Sequence, residues 1–244
     1  MTHPLQIGLL GMGGRMGRAI LGLAQTDPRV QICGGSYQGT RPDGDVDVFL
    51  TQDLSELFIR SDVLIDFSSV SALEAHLALA VETQKPLVTG VTGLRDPQKQ
   101  ALKTASEGTA ILAAPNMSLG ACLLSEAVRL VASRLEAAYE TEIFERHHRH
   151  KKDAPSGTAL ALAEAIQESR PTSPPPSVLS SRLGEDFGEH MVSFVGPCET
   201  LTLSHHALGR DAFASGALQG ALWLVTQPKG LYTMEDVLGL RAHF

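Results

Sequence analysis

Between Glu145 and Lys152 the chain reads ERHHRHKK, which sets His147, His148 and His150 among two arginines and two lysines. Directly behind them, Asp153-Ala154-Pro155 turns the chain into Ser156-Gly157-Thr158. Proton donors, fixed cations and free backbone N–H groups are thus concentrated in one stretch. That combination suits gripping and protonating a small polyanion. Ser156 is a predicted N-cap, since its hydroxyl can accept from a first-turn N–H. Ala159, Leu160, Leu162, Ala163 and Ile166 follow at helical spacing. Pro155 holds the residue before it extended, so the helix starts no earlier. Gly157 leaves the backbone bare, and a carboxylate can lie against the N–H groups of Gly157 and Thr158, aided by the helix dipole. A solvated basic loop ahead of an ordinary capped helix is the competing interpretation. The Gly-Thr helix start immediately after the charges favours a site.

The rest of the composition narrows the partner. The chain has 244 residues, a net charge of −7 and a pI near 5.7, which argues against a general nucleic-acid binder. The basic run is therefore local, and a small anion is its expected partner. Cys33, Cys122 and Cys198 are widely spaced, with no CxxC pair, which fits a reducing cytoplasm. The apolar start at residues 7–10 lacks a basic flank and reads as a buried strand rather than a signal peptide. No run approaches a membrane span. His147, His148 and His150 have no Cys or carboxylate at ligand spacing, so no metal is expected.

The elements that must carry these residues alternate. Predicted strands at 6–10, 30–35, 62–67, 86–91 and 110–114 are separated by predicted helices at 15–25, 71–83 and 98–106. This is the pattern of an α/β, Rossmann-like, doubly wound parallel sheet, with ligands along the C-terminal strand edge. After Pro115-Asn116 the pattern becomes α+β. A helix at 119–135 leads to a strand at 139–144 and then the basic loop, with further strands at 190–195 and 200–205. Residues 171–177 read as an extended loop. A helix at 213–225 and a closing element at 231–240 are expected to return to the first domain.

Glycines recur every third residue at Gly8, Gly11, Gly14 and Gly17, with Gly13 in addition, between the first strand and first helix. In that context they predict a tight turn, with backbone close to a pyrophosphate at a helix N-terminus. The spacing departs from strict G-x-G-x-x-G, because Met16 holds the last position. At the end of the second strand, Gly34-Gly35-Ser36-Tyr37-Gln38 has no carboxylate to select the free ribose hydroxyl of NAD. NADPH or dual use follows, with Arg15 or Arg41 as candidates to meet the extra phosphate.

Taken in order, these segments resemble the dihydrodipicolinate reductase family, the 4-hydroxy-tetrahydrodipicolinate reductases of lysine and diaminopimelate biosynthesis. GMGGRMG, DFSS, TGVTG, APNMSLG, HHRHKKDAPSGTAL, GEHMVSF, FASGAL and GLYTMEDVLGL carry the likeness over essentially the whole chain. The resemblance implies NAD(P)H-dependent reduction of 4-hydroxy-tetrahydrodipicolinate to tetrahydrodipicolinate by a cytoplasmic homotetramer. It implies a dinucleotide-binding domain of residues 1–117 plus 211–244. Residues 118–210 would form an α+β substrate-binding and oligomerisation domain, with the hinge near Asn116. By position, Gly11, Met12, Gly13, Gly14, Arg15, Met16 and Gly17 would hold the pyrophosphate. Gly90, Val91 and Thr92 with Ala114, Pro115, Asn116 and Met117 would line the nicotinamide side. His147 would be the proton donor and Lys151 its partner cation. His148, Lys151, Ser156, Gly157 and Thr158 would hold substrate carboxylates. Two positions depart from the family pattern: Met117 replaces a frequent aromatic residue, and Tyr37 stands at the acidic position.

The implied chemistry is hydride addition to a conjugated cyclic dicarboxylate, with His147 supplying a proton where negative charge builds. A homoserine or semialdehyde dehydrogenase would lack the DAPSGTA segment. A nucleotide-sensing regulator would be expected to have lost His147 and Lys151. His190, His205 and His206 read as structural strand residues, and Asp66 as either a cofactor ligand or a turn cap.

Overall fold

The computed structural model describes residues 3–37, 48–136 and 138–240. Gln38 and Arg41, two of the positions weighed for cofactor choice, lie outside them. The chain divides into two compact units, Met1–Met117 with Phe213–Phe244, and Ser118–Ala212.

In the first unit, strands β1 (Leu5–Leu10), β2 (Val30–Ser36), β3 (Leu50–Thr51), β4 (Val63–Asp66), β5 (Leu87–Thr89), β6 (Ala110–Ala113) and β11 (Gly230–Tyr232) form one sheet. Its order is β11-β6-β5-β4-β1-β2-β3, and every pairing is parallel. Helices α1 (Arg15–Ala24), α2 (Leu54–Arg60), α3 (Val70–Thr83), α4 (Asp96–Ser106) and α7 (Asp211–Leu224) connect or flank the strands. β4, β5 and most of β6 are buried without alternation, as sheets covered on both faces require. Leu64, Leu87 and Ile111 join Leu57, Phe58, Leu73, Leu77 and Leu102 in one core cluster. Burying each such side chain is worth about 1.5–3 kcal/mol. The order reverses between β1 and β4, which makes the switch point where doubly wound folds take ligands.

The second unit packs α5 (Leu119–Arg134) and α6 (Gly157–Ser169) on a four-stranded mixed sheet. Its strands are β7 (Glu140–His147), β8 (Ser177–Arg182), β9 (Glu189–Val195) and β10 (Thr200–His206), in the order β10-β9-β7-β8. β7, α6 and β8 make a parallel crossover, whereas β9 and β10 pair antiparallel. Ile143, Val192 and Phe194 face the helices and are fully buried.

Several elements differ from the sequence reading. β3 and α2 were not anticipated, although Asp53 caps α2 by accepting from the N–H groups of Ser55 and Glu56. β8 follows directly on the proline-rich loop. The closing element is β11, which pairs with β6, and a short helix α8 (Met234–Val237). The basic run departs furthest from the sequence expectation. Its first three residues belong to β7, where Glu145 and His147 point inward and are buried, so it is not a loop throughout.

Candidate functional site

Glycine spacing builds the candidate site of the first unit. Gly11 turns at φ +81°, and the turn is stitched to β2 by Met12 N–H on the Ser36 carbonyl at 3.0 Å and Gly11 N–H on Ser36 Oγ at 3.2 Å. A Cβ at Gly17 would stand 2.6 Å from the Met12 carbonyl oxygen, so α1 can begin this close to the turn only with glycine there. Gly14 caps α1 with no side-chain hydrogen bond, and the first turn carries no acidic residue. The helix start is therefore open to an anion. Ser68, after β4, faces the same turn, and its buried Oγ has no hydrogen-bond partner among the described residues. Bare N–H groups, a close-packed glycine turn and a waiting hydroxyl at the switch point fit a dinucleotide pyrophosphate. Gly17→Ala is expected to raise the Kd for NADPH about 10–100-fold, because overpacking of about 1–3 kcal/mol must be absorbed by the turn. Equilibrium titration of the folded variant checks this, and an unchanged Kd would mean that the turn is not the phosphate site.

The other expected cofactor residues follow neighbouring strands on the same edge. Gly90, Val91 and Thr92 come after β5, with Val91 buried and Thr92 exposed. Ala114, Pro115, Asn116 and Met117 come after β6, and Met117 is buried. Asp66 is fully buried, accepts from Ser68 N–H at 2.8 Å and bonds His76 Nδ1 at 2.9 Å. It is a turn cap, not a surface ligand.

The second unit carries a separate cluster, built on β7. Glu145 has no exposed surface and receives a two-pronged ion pair from Arg182 of β8, with Nη2 on Oε1 at 2.7 Å and Nη1 on Oε2 at 2.9 Å. Ser156 N–H adds a bond to Oε1 at 3.2 Å, and His147 Nδ1 lies 2.6 Å from Oε2. Burial alone would raise the Glu145 carboxyl, but hydrogen bonds from Arg182, Ser180 and His147 outweigh it and hold it down at about 2. His147 is 8% exposed. Burial lowers its pKa, and the Glu145 carboxylate works in the opposite direction.

Ser156 caps α6 through Ala159 N–H, as its type predicts, and its Oγ also meets His190 Nε2 at 3.0 Å. Ser156 is buried, whereas Gly157 is exposed with open space where a side chain would go. Lys151 pairs with Asp153 at 2.8 Å. His148 Nδ1 is buried with no partner among the described residues. The arginines of the basic run are already engaged: Arg146 pairs with Asp186 and Glu189, and Arg149 with Glu185. The expected pool of free cations is thus smaller than the sequence suggests. Among the described residues no three His, Cys, Asp or Glu side chains are grouped to hold a metal.

Sequence reasoning missed Glu145 and Arg182. The first sits in plain view beside the histidines, but its partner is 37 residues away. His190 is a strand histidine whose Nε2 meets Ser156 Oγ, and its ring also meets His147 edge-on at 5.2 Å. Burial, then the nearby His147, pushes His190 down to about 4. An unfolded histidine binds its proton near 6.5, so the unfolded state takes up more protons between about 4 and 6.5. Folding stability should therefore fall by about 3 kcal/mol as pH drops through that window. His190→Gln is expected to flatten this part of a plot of urea-unfolding free energy against pH. An unaltered slope would assign it to other groups.

An all-parallel sheet with a glycine turn at its switch point, in a chain whose second unit buries a carboxylate-held histidine, fits the class of dinucleotide-dependent oxidoreductases. Comparison with known proteins narrows that class. The family model described as dihydrodipicolinate reductase, N-terminus, matches residues 5–117, and the one for its C-terminus matches residues 120–238. The 4-hydroxy-tetrahydrodipicolinate reductase of Zymomonas mobilis is 39% identical, with 97% of this chain and 98% of the relative covered. That of Xanthomonas euvesicatoria pv. vesicatoria is 40% identical, covering 97% and 99%. A solved dipicolinate-bound dihydrodipicolinate reductase from Paenisporosarcina sp. TG-14 shares the fold at a TM-score of 0.82, with 22% identity and 96% and 98% covered. The chain belongs to the dihydrodipicolinate reductase family.

Proposed function

We propose that this chain reduces 4-hydroxy-tetrahydrodipicolinate to tetrahydrodipicolinate with NADPH or NADH, in lysine and diaminopimelate biosynthesis. The observation that carries the reading is His147, a buried imidazole held at Nδ1 by Glu145, four residues ahead of Lys151. Relatives covering almost the same length are named for this activity, and a structural neighbour is described as dipicolinate-bound.

When bound, the reduced nicotinamide supplies a hydride. Residues Gly11, Met12, Gly13, Gly14, Arg15, Met16 and Gly17 would hold its pyrophosphate. Gly90, Val91, Thr92, Ala114, Pro115, Asn116 and Met117 would flank the nicotinamide. The dicarboxylate would lie against the backbone N–H groups of Gly157 and Thr158 at the start of α6, with Lys151 and His148 as side-chain donors. Ser156 serves this set indirectly, by fixing the first turn. His147 delivers a proton from Nε2 to the ring atom where charge accumulates. Free imidazole is mostly unprotonated at neutral pH here, but each substrate carboxylate brought near it favours the charged form. Residues 1–117 plus 211–244 would thus be the cofactor domain and 118–210 the substrate domain.

Residues 118–210 would also form a homotetramer interface. Phe144, Leu179 and Met191 are direct neighbours in register on adjacent strands, on the sheet face opposite Ile143, Val178 and Val192. Leu179 and Val195 are 48% and 43% exposed, which leaves apolar surface for a second copy. No helix among the described residues is long and apolar enough to cross a membrane.

The test is steady-state oxidation of NADPH, then NADH, with substrate made in situ by dihydrodipicolinate synthase from pyruvate and aspartate semialdehyde. Rapid synthase-dependent oxidation supports the reading, and the ratio of kcat/KM values sets the cofactor preference. Folded protein that binds NADPH but oxidises neither cofactor refutes it and favours a nucleotide sensor.

A further inference from the structure

We propose that Glu145 and Arg182 are positioning residues that set the tautomer of His147 and hold the Lys151 loop in step with it. The proposal rests on the proton-donor role given to His147 above.

Hydrogen-bond capacity fixes which ring nitrogen of His147 carries the hydrogen. Glu145 is ionised, so it can only accept. Each of its oxygens already takes one N–H from Arg182; Oε1 takes Ser156 N–H as well, and Oε2 faces His147 Nδ1 at 2.6 Å. His147 Nδ1 must therefore carry a hydrogen. In the neutral ring Nε2 is then the bare acceptor, and in the charged ring Nε2–H is the proton available for transfer. Nothing bulky may cover that atom. Gly188, at φ +139°, is the residue beside it, and a Cβ there would stand 2.8 Å from Nε2.

Arg182 does more than neutralise Glu145. Its Nη2 also donates to the Asp153 carbonyl at 2.6 Å, and Asp153 holds Lys151 through its carboxylate at 2.8 Å. One guanidinium thus ties the support of His147 to the loop bearing Lys151. β-sheet register makes this possible, since His147 lies opposite Arg182 on β8 and Glu145 opposite His190 on β9. The charged or titratable groups facing His147 are therefore Glu145 on its own strand, Arg182, His190 and Lys151. His205 stands behind His190, and Asp153 behind Lys151.

Glu145→Gln keeps the side-chain shape and removes the charge that favours protonated His147. As His147 acts in its protonated form, kcat should fall on the alkaline side, and the midpoint of that fall should move to lower pH in the variant. At neutral pH kcat should drop about 10²-fold, the low end of what a general acid contributes, with a much smaller change in KM. Glu145→Asp should restore part of the rate and move the midpoint back. A purely structural role would lower the amount of active enzyme and leave the midpoint in place.

Because Glu145→Gln can misfold, the deciding measurement is made on the unaltered full chain: the ¹⁵N shifts of His147 across pH, assigned with His147→Gln. A neutral ring protonated at Nδ1 supports the proposal. A neutral ring protonated at Nε2, or a folded Glu145→Gln enzyme with the wild-type pH midpoint, overturns it. A wild-type chain with the Nδ1–H tautomer but no turnover removes the reaction itself, a result distinct from a wrong tautomer.

Discussion

His147→Gln is expected to lower kcat by about 10²–10⁴-fold while the Kd for NADPH stays within about twofold of wild type. The two functions separate because the glycine turn and His147 belong to different units of the chain. Glutamine fills most of the imidazole volume and keeps a polar end toward Glu145, so folding should survive. It has no proton to give near neutral pH. The wild-type loss of kcat at high pH should vanish with the group that causes it, leaving a low, flat profile. Steady-state rates at saturating substrate, paired with cofactor titration, make the check. A variant with near-normal turnover would remove His147 from the chemistry, whatever its effect on KM.

Arg182→Met is expected to destabilise the protein by about 3–5 kcal/mol, as removal of one partner leaves a buried charge uncompensated. Glu145 has no exposed surface. The loss should depend on pH in a defined direction. In the wild type the Glu145 carboxyl is held at about 2, below the 4.5 of a free side chain. The ion pair therefore contributes fully above about 4.5, and its contribution fades as pH falls toward 2. In the variant Glu145 can escape its buried charge by binding a proton. The gap between the two proteins should narrow as the solution is acidified below about 4.5. Adding Glu145→Gln to Arg182→Met should recover much of the stability at pH 7, because the orphaned charge is then gone. Urea unfolding of wild type, Arg182→Met and the double variant at two pH values measures all of this. Equal stability of Arg182→Met and wild type at pH 7 would mean that the pair contributes nothing net.

What the sequence determined by itself was local. The glycine turn was legible because turn conformation, close backbone approach and an open helix start are properties of the residues that form them, from Gly11 to Gly17. Ser156 was legible as a cap for the same reason: its hydroxyl reaches an N–H three residues on. The strand-helix alternation through Ala113 came from apolar runs such as VLID and AILA, whose continuity already implies a sheet covered on both faces. Family motifs in order then pointed to His147 and Lys151.

Only the tertiary structure decided which of those charges were already spoken for. Arg146, Arg149 and His147 look equivalent in ERHHRHKK, yet period-two alternation along β7 turns Glu145 and His147 inward and Arg146 outward. Whether the strand extends that far depends on Arg182 and His190, which the β7–β8 and β7–β9 registers bring alongside. A charged stretch reads as loop until a distant partner offsets its burial, and no local window contains that partner. β8 itself was hidden for the same reason: Ser177–Arg182 has a weak apolar pattern and gains its place by pairing with β7. Helix caps and turns are fixed by chemistry within a few residues. Buried ion pairs and the tautomers they impose are fixed by strand register, which exists only once the sheet has formed.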